Sequence, residues 1–402
     1  MKALIRAILG DRRSRQLKSL IRWILGRPGG PLEEARPASD PRSSCQAMMH
    51  RPYDSIVAMP SMSQGGSRLS ESGVRRVVAA YCASITSSAV QPTSIWENIA
   101  NTQQAPLHQI LTSGDLDAVT ALLSRPGDSD LFYGIDNLYS GAVNTFKTSP
   151  EIAMGHAKLC QDHLIRLAEL TGAIRFENPE WQSRDTAPDN SADSLVAKIE
   201  NAIGYPLHFP NPYPDESGIQ TERGIISYRA IHAIYQGWRI RELVKALPNP
   251  RVLEIGGGLG RTAYYARQFG VSDYTIIDLP FTGVSQATFL MQAIGEGEVS
   301  LQGEPGDGAG KIKLLRPDSF LSESGRYDLI VNVDSLTEMD RATAERYLEK
   351  IEVSAPMFLS INHEANEFTV KELFARNVRP RTGSRCEYGL RHGYVEELYT
   401  FS

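Results

Sequence analysis

The sequence predicts an α/β fold in which a Rossmann-like, mostly parallel sheet follows a helical region, and three observations carry that prediction. The stretch from Arg251 to Pro280 reads as strand, glycine turn, helix, strand and acid. Short apolar segments recur after it at intervals that suit a parallel sheet. Between Gly73 and Leu247, by contrast, apolar residues recur with the period of helices.

The central unit opens with Arg251–Ile255 (RVLEI), short, apolar and partly β-branched, as a strand covered on both faces should be. Gly256, Gly257, Gly258 and Gly260 then let the chain turn sharply and bring backbone against a ligand. Thr262–Phe269 has helical character, and Gly270 is placed to end it. Asp273–Ile277 (DYTII) is the second strand, delivering Asp278 and Leu279 at its carboxyl end. In a right-handed βαβ unit the turn and that acid meet over the sheet edge, where an acid accepts hydrogen bonds from a ribose diol. A dinucleotide fingerprint needs a third glycine at position 261, where this chain has Arg261. The pattern is instead E-x-G-x-G-x-G, Glu254 to Gly260. A carboxylate in that strand end repels a pyrophosphate and suits the ammonium of an amino-acid arm, which points to S-adenosylmethionine. The alternative, an ordinary tight loop, explains neither Glu254 before the turn nor Asp278 after it.

The segments LEIGGGLGRTAYYA, DYTIIDLP, NVDSLTEM and GYVEELY resemble the family described as sugar O-methyltransferases, within the class I S-adenosylmethionine-dependent methyltransferases. WENIANTQQAPLHQIL, LFYGIDN and RGIISYRAIHAIYQGWRI extend the likeness upstream, so that it spans Ile95 to the C-terminus. The resemblance implies a seven-stranded class I methyltransferase sheet, S-adenosylmethionine as cofactor, and methyl transfer to a sugar hydroxyl of a glycan or nucleotide-linked precursor. It also implies that Tyr228, Arg229 and His232 border the cofactor's methionine end and the acceptor. Two other readings stand beside it. One is a nicotinamide-dependent oxidoreductase, disfavoured by Arg261 and Glu254; the other is a nucleoside-binding or scaffold protein without turnover.

Composition sets bounds on these readings. At 402 residues, 41% hydrophobic and 22% charged, the chain is an ordinary globular one with room for two domains. A net charge of -5 lacks the basic footprint of a general nucleic-acid binder. Cys45, Cys82, Cys160 and Cys386 have no metal-ligand spacing and read as reduced thiols of a cytoplasmic protein.

In chain order, Met1–Leu25 is basic with apolar residues at near-helical spacing. Such a segment can lie on an anionic membrane surface, although a solvated helix or disordered extension is the favoured reading of it. Arg27 to Ser72, rich in Pro, Gly, Ser and Arg, is expected as a flexible linker. Residues 73–248 are expected as a helical N-terminal domain and 249–402 as the methyltransferase domain, with 1–72 outside both. Glu222–Leu247 is expected as one helix with two faces. Ile226, Ala230, Ala233, Gly237 and Ile240 form a small apolar packing stripe. Ile225, Tyr228, His232, Tyr235, Arg239 and Glu242 form a polar, aromatic one, which in the bland alternative is core tyrosine with an Arg239–Glu242 pair in solvent. After Asp278, strands are expected at Val299–Gln302, Lys311–Leu315, Tyr327–Val333, Met357–Ile361, Glu387–Leu390 and Tyr394–Phe401, the last two as an antiparallel hairpin.

Groups at the carboxyl ends of these strands are the candidates for chemistry. Asn332, Asp334, Asn362, His363 and Glu364 fall there. A sugar hydroxyl needs a general base, and His363 is the first candidate because imidazole titrates near neutral pH. His232 is second, and Asp334 or Glu338 third. Asp334, Glu338 and Glu364 are also oxygen donors for a divalent ion such as magnesium, though no ligand spacing demands one.

Overall fold

A computed structural model describes residues 41–86, 96, 99, 102–177, 189–305, 308, 310–322, 325–377 and 382–401. The basic segment Met1–Leu25 lies outside them, and among the described residues no helix is long and apolar enough to cross a membrane.

Eight strands form the main sheet: β4 (Arg251–Ile255), β5 (Asp273–Ile277), β6 (Val299–Ser300), β7 (Ile312–Leu315), β8 (Leu329–Val333), β9 (Met357–His363), β10 (Thr382–Glu387) and β11 (Tyr394–Thr400). Their order is β10-β11-β9-β8-β4-β5-β7-β6. Neighbours from β6 to β9 are parallel, while β11 runs antiparallel to both β9 and β10. This is the expected Rossmann-like sheet with its final antiparallel hairpin, with eight strands in place of seven; the strand expected at Val299–Gln302 is the two-residue edge strand β6. The chain leaves β4 toward β5 and β7, then returns to the other side for β8 and β9. The order therefore reverses at β4, and ligand crevices of such sheets open at the strand tips beside that reversal.

Thirteen described helices surround the strands. Before β4 run α1 (Pro41–Met48), α2 (Glu71–Thr86), α3 (Ala105–Thr112), α4 (Leu116–Ser124), α5 (Ser140–Thr148), α6 (Pro150–Leu170), α7 (Ala192–Ile203) and α8 (Tyr228–Val244). After it run α9 (Arg261–Gln268), α10 (Pro280–Ile294), α11 (Pro317–Ser322), α12 (Arg341–Ser354) and α13 (Val370–Asn377). One hydrophobic core joins helical region and sheet, with Val77, Leu164 and Ile231 in the same cluster as Val252, Tyr274 and Leu359. A second cluster, including Leu253, Ile330, Leu348 and Phe374, lies under the other face.

Three expectations need correction. The described part of the expected linker, residues 41–72, holds α1 and the strand β1 (Pro60–Gln64). Strand β1 pairs antiparallel with β2 (Pro214–Thr221), Pro60 opposite Ile219, a partner too distant in sequence to leave a local period. Second, the helical region carries this three-stranded sheet. Glu222–Leu247 is a turn and the strand β3 (Gly224–Ile226) before α8, because Ile219 pairs with Ile226 and Ser227 caps the helix by accepting from the Ala230 N–H at 3.4 Å. Third, the strand expected at Glu387–Leu390 ends at Glu387. Tyr388–Leu390 instead enter the hairpin turn, where the Tyr388 N–H donates to the Tyr394 carbonyl at 2.9 Å.

Helix α8 has the two faces its sequence shows. Ala230, Ala233, Gly237 and Ile240 are buried. A Cβ on Gly237 would meet the Ala266 nitrogen of α9 at 2.8 Å, so only glycine lets the two helices approach this closely. On the other stripe Arg239 bonds the buried Glu396 at 2.7 Å and Tyr235 donates to the same carboxylate at 2.8 Å, while Glu242 takes Lys245.

Candidate active site

The β4 tip is fixed before any ligand enters. Gly256 turns with φ +74°, and a Cβ there would collide with Ser335 Oγ. Ser335 Oγ and Asn332 Nδ2 both donate to the Ile255 carbonyl at 2.9 Å, and the Gly256 N–H donates to the Ile277 carbonyl at 2.9 Å. Asn332, fully buried, and Asn362 are thus pins between strand tips, with Asn362 Nδ2 donating to Asn332 Oδ1 at 2.9 Å.

The turn and Asp278 are tied to each other by one side chain. Gln286 Nε2, on α10, donates to the Gly258 carbonyl at 3.1 Å and to Asp278 Oδ2 at 2.7 Å. Asp278 Oδ1 accepts from the Leu279 N–H at 2.8 Å. Burial pushes the Asp278 carboxyl up to about 7, against these hydrogen bonds. Burial does the same to Glu254, also up to about 7, against the Tyr274 hydroxyl that donates to its Oε2 at 3.0 Å.

A cavity of about 210 Å³ opens over this turn, and a second, of about 30 Å³, has room for only a water or two. Of the expected cofactor residues, Glu254, Gly256, Gly257, Gly258, Asp278, Leu279, Arg229 and Asp334 line the larger cavity. Gly260 and Tyr228 do not. Gly260, at φ +88°, turns the chain into α9, and Tyr228 packs its ring on His163 and His232 at 5.0 and 4.5 Å.

Arg261, the residue that breaks the dinucleotide fingerprint, is buried and held by two carboxylates. Its Nε donates to Asp136 Oδ2 at 3.0 Å and its Nη2 lies 2.8 Å from Glu216 Oε1. It tethers the loop of Asp136 and strand β2 to the start of α9.

At the other end of the cavity stands Asp334, at φ +57°, a left-handed conformation rare outside glycine and frequent at functional sites. The Tyr394 hydroxyl donates to its Oδ2 at 2.7 Å, and Arg391 lies 3.7 Å from the same oxygen. His363 Nε2 lies 3.5 Å from Oδ1. The Ala365 N–H donates to His363 Nδ1 at 3.2 Å, which leaves the ring proton on Nε2, facing the acid. Asp334 lines the cavity and His363 sits behind it, its pKa lowered by burial against the pull of Asp334.

The second candidate base does not fit that role. His232 lines the cavity, but its Nε2 is engaged by His163 Nδ1 at 3.0 Å and its Nδ1 by the Tyr388 hydroxyl at 3.3 Å. Burial also holds its pKa well below the usual value, so neither nitrogen is open to a substrate proton.

Glu338 faces the cavity and accepts from Trp96 Nε1 at 2.9 Å; burial and the neighbouring Asp334 push it up to about 8. Glu364 bonds Arg385 at 2.8 Å instead of joining the other two acids. His363 stands in its place: ligand atoms of Asp334, Glu338 and His363 all lie within 4.8 Å of one another. With Nδ1 taken by a backbone N–H, the imidazole nitrogen toward the acids carries the proton, so the trio as built fits an acid beside an imidazole N–H better than a cation site.

Sequence reasoning missed Gln286, whose glutamine in an apolar helix gives no signal until the fold sets it between turn and acid. It also missed Tyr388, Arg391 and Tyr394 of the β10–β11 hairpin, which line the cavity. Alternation of aromatic and basic residues in YGLRHGY was the available hint.

No protein-family model matches the chain, and none of the curated proteins matches it. Among solved structures it is similar to magnesium protoporphyrin IX methyltransferase of Synechocystis with bound SAM, at 14% identity and TM-score 0.32 over 42% of this chain and 79% of that one. It is likewise similar to the methyltransferase domain of bacterial CtHen1, at 12% identity and TM-score 0.31 over 42% of this chain and 99% of the other. A Thermoplasma acidophilum protein matches at 12% identity and TM-score 0.29, over 43% of this chain and 88% of its own.

Proposed function

We propose that the protein is an S-adenosylmethionine-dependent methyltransferase acting on a sugar hydroxyl in glycan or polysaccharide assembly. The observation that carries the cofactor is the pair Glu254 and Asp278, which face one cavity from either side of a glycine turn. Asp278 has lone pairs left for a ribose diol after accepting from Leu279 and Gln286. Glu254 is buried, and an ammonium would supply the counter-charge that its desolvated carboxylate lacks. Arg261, the arginine that opens α9 directly after the glycine turn, is already paired with Asp136 and Glu216 and is not available to a pyrophosphate. That argues against the nicotinamide reading.

When bound, the cofactor supplies an electrophilic methyl on a sulfonium. The protein must hold an acceptor oxygen toward it and take the oxygen's proton as the new C–O bond forms. Asp334 is the base in this reading, because its Oδ1 is buried, accepts no hydrogen bond and lines the cavity. Tyr394 holds the other oxygen and His363 stands behind as a positioning residue. Trp96, Tyr388 and Tyr394 add aromatic surface among these polar groups, a mixture suited to the C–H faces and hydroxyls of a sugar. The test is incubation of the protein with methyl-labelled cofactor and a panel of surface-glycan precursors, read by mass. A labelled sugar supports the reading; label on a peptide, nucleic acid or small amine, with none on any sugar, refutes the acceptor.

A further inference from the structure

Three arginines line the cavity, and two are already committed. Arg261 is held by Asp136 and Glu216. Arg391 lies 3.7 Å from Asp334 with its guanidinium 4.1 Å over the Tyr394 ring. Arg229, in the first turn of α8, differs: its Nε is buried without a hydrogen-bond partner, and among the described residues no carboxylate comes within 4.0 Å of its guanidinium. A half-buried guanidinium whose Nε is shut off from water without a partner or counter-charge is costly, so its presence in a cavity wall points to a ligand that supplies one.

Its position within the cavity says which ligand. Arg229 is three residues before His232 on α8, and its charge bears on His232 and on Glu338, at the end occupied by Asp334. Glu338 does not pair with it: its Oε2 accepts from Trp96 Nε1, and burial and the neighbouring Asp334 push its carboxyl toward the neutral form. Asp334 is taken by Tyr394, Arg391 and His363. The acceptor end thus keeps an excess of positive charge with a planar donor fork in it.

We infer that the acceptor is an anionic sugar, whose carboxylate or phosphate is received by Arg229 while its hydroxyl faces Asp334. The inference rests on the methyltransferase reading for the word acceptor. Guanidinium forks take either oxyanion in a bidentate manner, whereas an uncharged sugar leaves the half-buried cation unpaired.

The experiment is a calorimetric titration of the full chain, saturated with S-adenosylhomocysteine, using glucuronate, glucose 1-phosphate and glucose. The expected result is that at least one charged sugar binds tenfold or more tighter than glucose, and that the choice between the first two identifies carboxylate or phosphate. Arg229→Met is expected to remove that preference, and Arg229→Lys to restore part of it, with S-adenosylhomocysteine affinity unchanged in both. Equal binding of glucose and the charged sugars, no binding of either charged sugar, or an unaltered preference in Arg229→Met overturns the inference. A loss confined to S-adenosylhomocysteine affinity also overturns it, assigning Arg229 to the cofactor's own carboxylate. Failure of the wild-type protein to bind S-adenosylhomocysteine would count against the methyltransferase reading instead, and the same sugar titration without it still reads whether Arg229 selects an anion.

Discussion

Replacing Asp278 with asparagine keeps the shape of the side chain and removes its charge, and two opposite effects should follow. The folded carboxyl titrates at about 7 against an ordinary value of 3.8. Below pH 3.8 both folded and unfolded chains hold the proton and the group is neutral to stability. Between there and about 7 the unfolded chain loses its proton while the folded one keeps it, so stability falls as pH rises, by about 1.4 kcal/mol per unit. The full difference of roughly three units is about 4 kcal/mol, present above pH 7 and absent in acid. The amide escapes that penalty but has one acceptor oxygen for the two donors, Leu279 N–H and Gln286 Nε2, at a cost of about 1 kcal/mol. Asp278→Asn should therefore be about 3 kcal/mol more stable than wild type at pH 8 without ligand, and close to it at pH 4. Cofactor binding should move the other way. Losing charge-assisted hydrogen bonds to a ribose diol costs about 2–3 kcal/mol, a weakening of roughly 30- to 100-fold. Denaturant unfolding across pH and calorimetry with S-adenosylhomocysteine measure the two arms. A variant that is less stable at pH 8 and binds as tightly as wild type would refute the reasoning.

Other consequences are as direct. Binding of S-adenosylhomocysteine near pH 7 should release protons, because an ammonium lowers the raised pKa of Glu254; calorimetry in buffers of different ionisation heat reads this, and Glu254→Gln should reduce it. Asp334→Asn should lower kcat by about 10²- to 10⁴-fold with S-adenosylhomocysteine affinity intact, whereas loss of affinity with kcat preserved would remove Asp334 from the chemistry. Arg261→Met should cost roughly 3–5 kcal/mol in urea unfolding, since Asp136 and Glu216 are left buried without their cation, and should create no affinity for NADH. Gln286→Ala should weaken S-adenosylhomocysteine binding about tenfold by releasing Asp278 from the glycine turn.

The half of the candidate site around the glycine turn was legible because its determinants are local. Strand, glycine turn and following acid lie within 28 residues of sequence, each with its own period or residue type, and the sheet brings them together by a rule of handedness. The acceptor half was less so. His363 and Asp334 were placed correctly at strand tips, yet which of the two faces the cavity depends on the Ala365 N–H and the Tyr394 hydroxyl, neither of which periodicity encodes. His232 lay on the expected polar stripe of α8, but its partners His163 and Tyr388 come from segments 69 and 156 residues away. Strand β1 illustrates the same limit: PSMSQ carries no alternation of its own and becomes a strand because β2 offers it an edge.

Calorimetric titration of the 402-residue chain with S-adenosylhomocysteine, adenosine and NADH in parallel decides which nucleoside the cavity holds. A cavity that grips ribose at Asp278 and an amino-acid arm at Glu254 should bind S-adenosylhomocysteine at one site, adenosine at least tenfold more weakly, and NADH not at all. Absence of heat from S-adenosylhomocysteine, or tighter binding of NADH, would contradict the account.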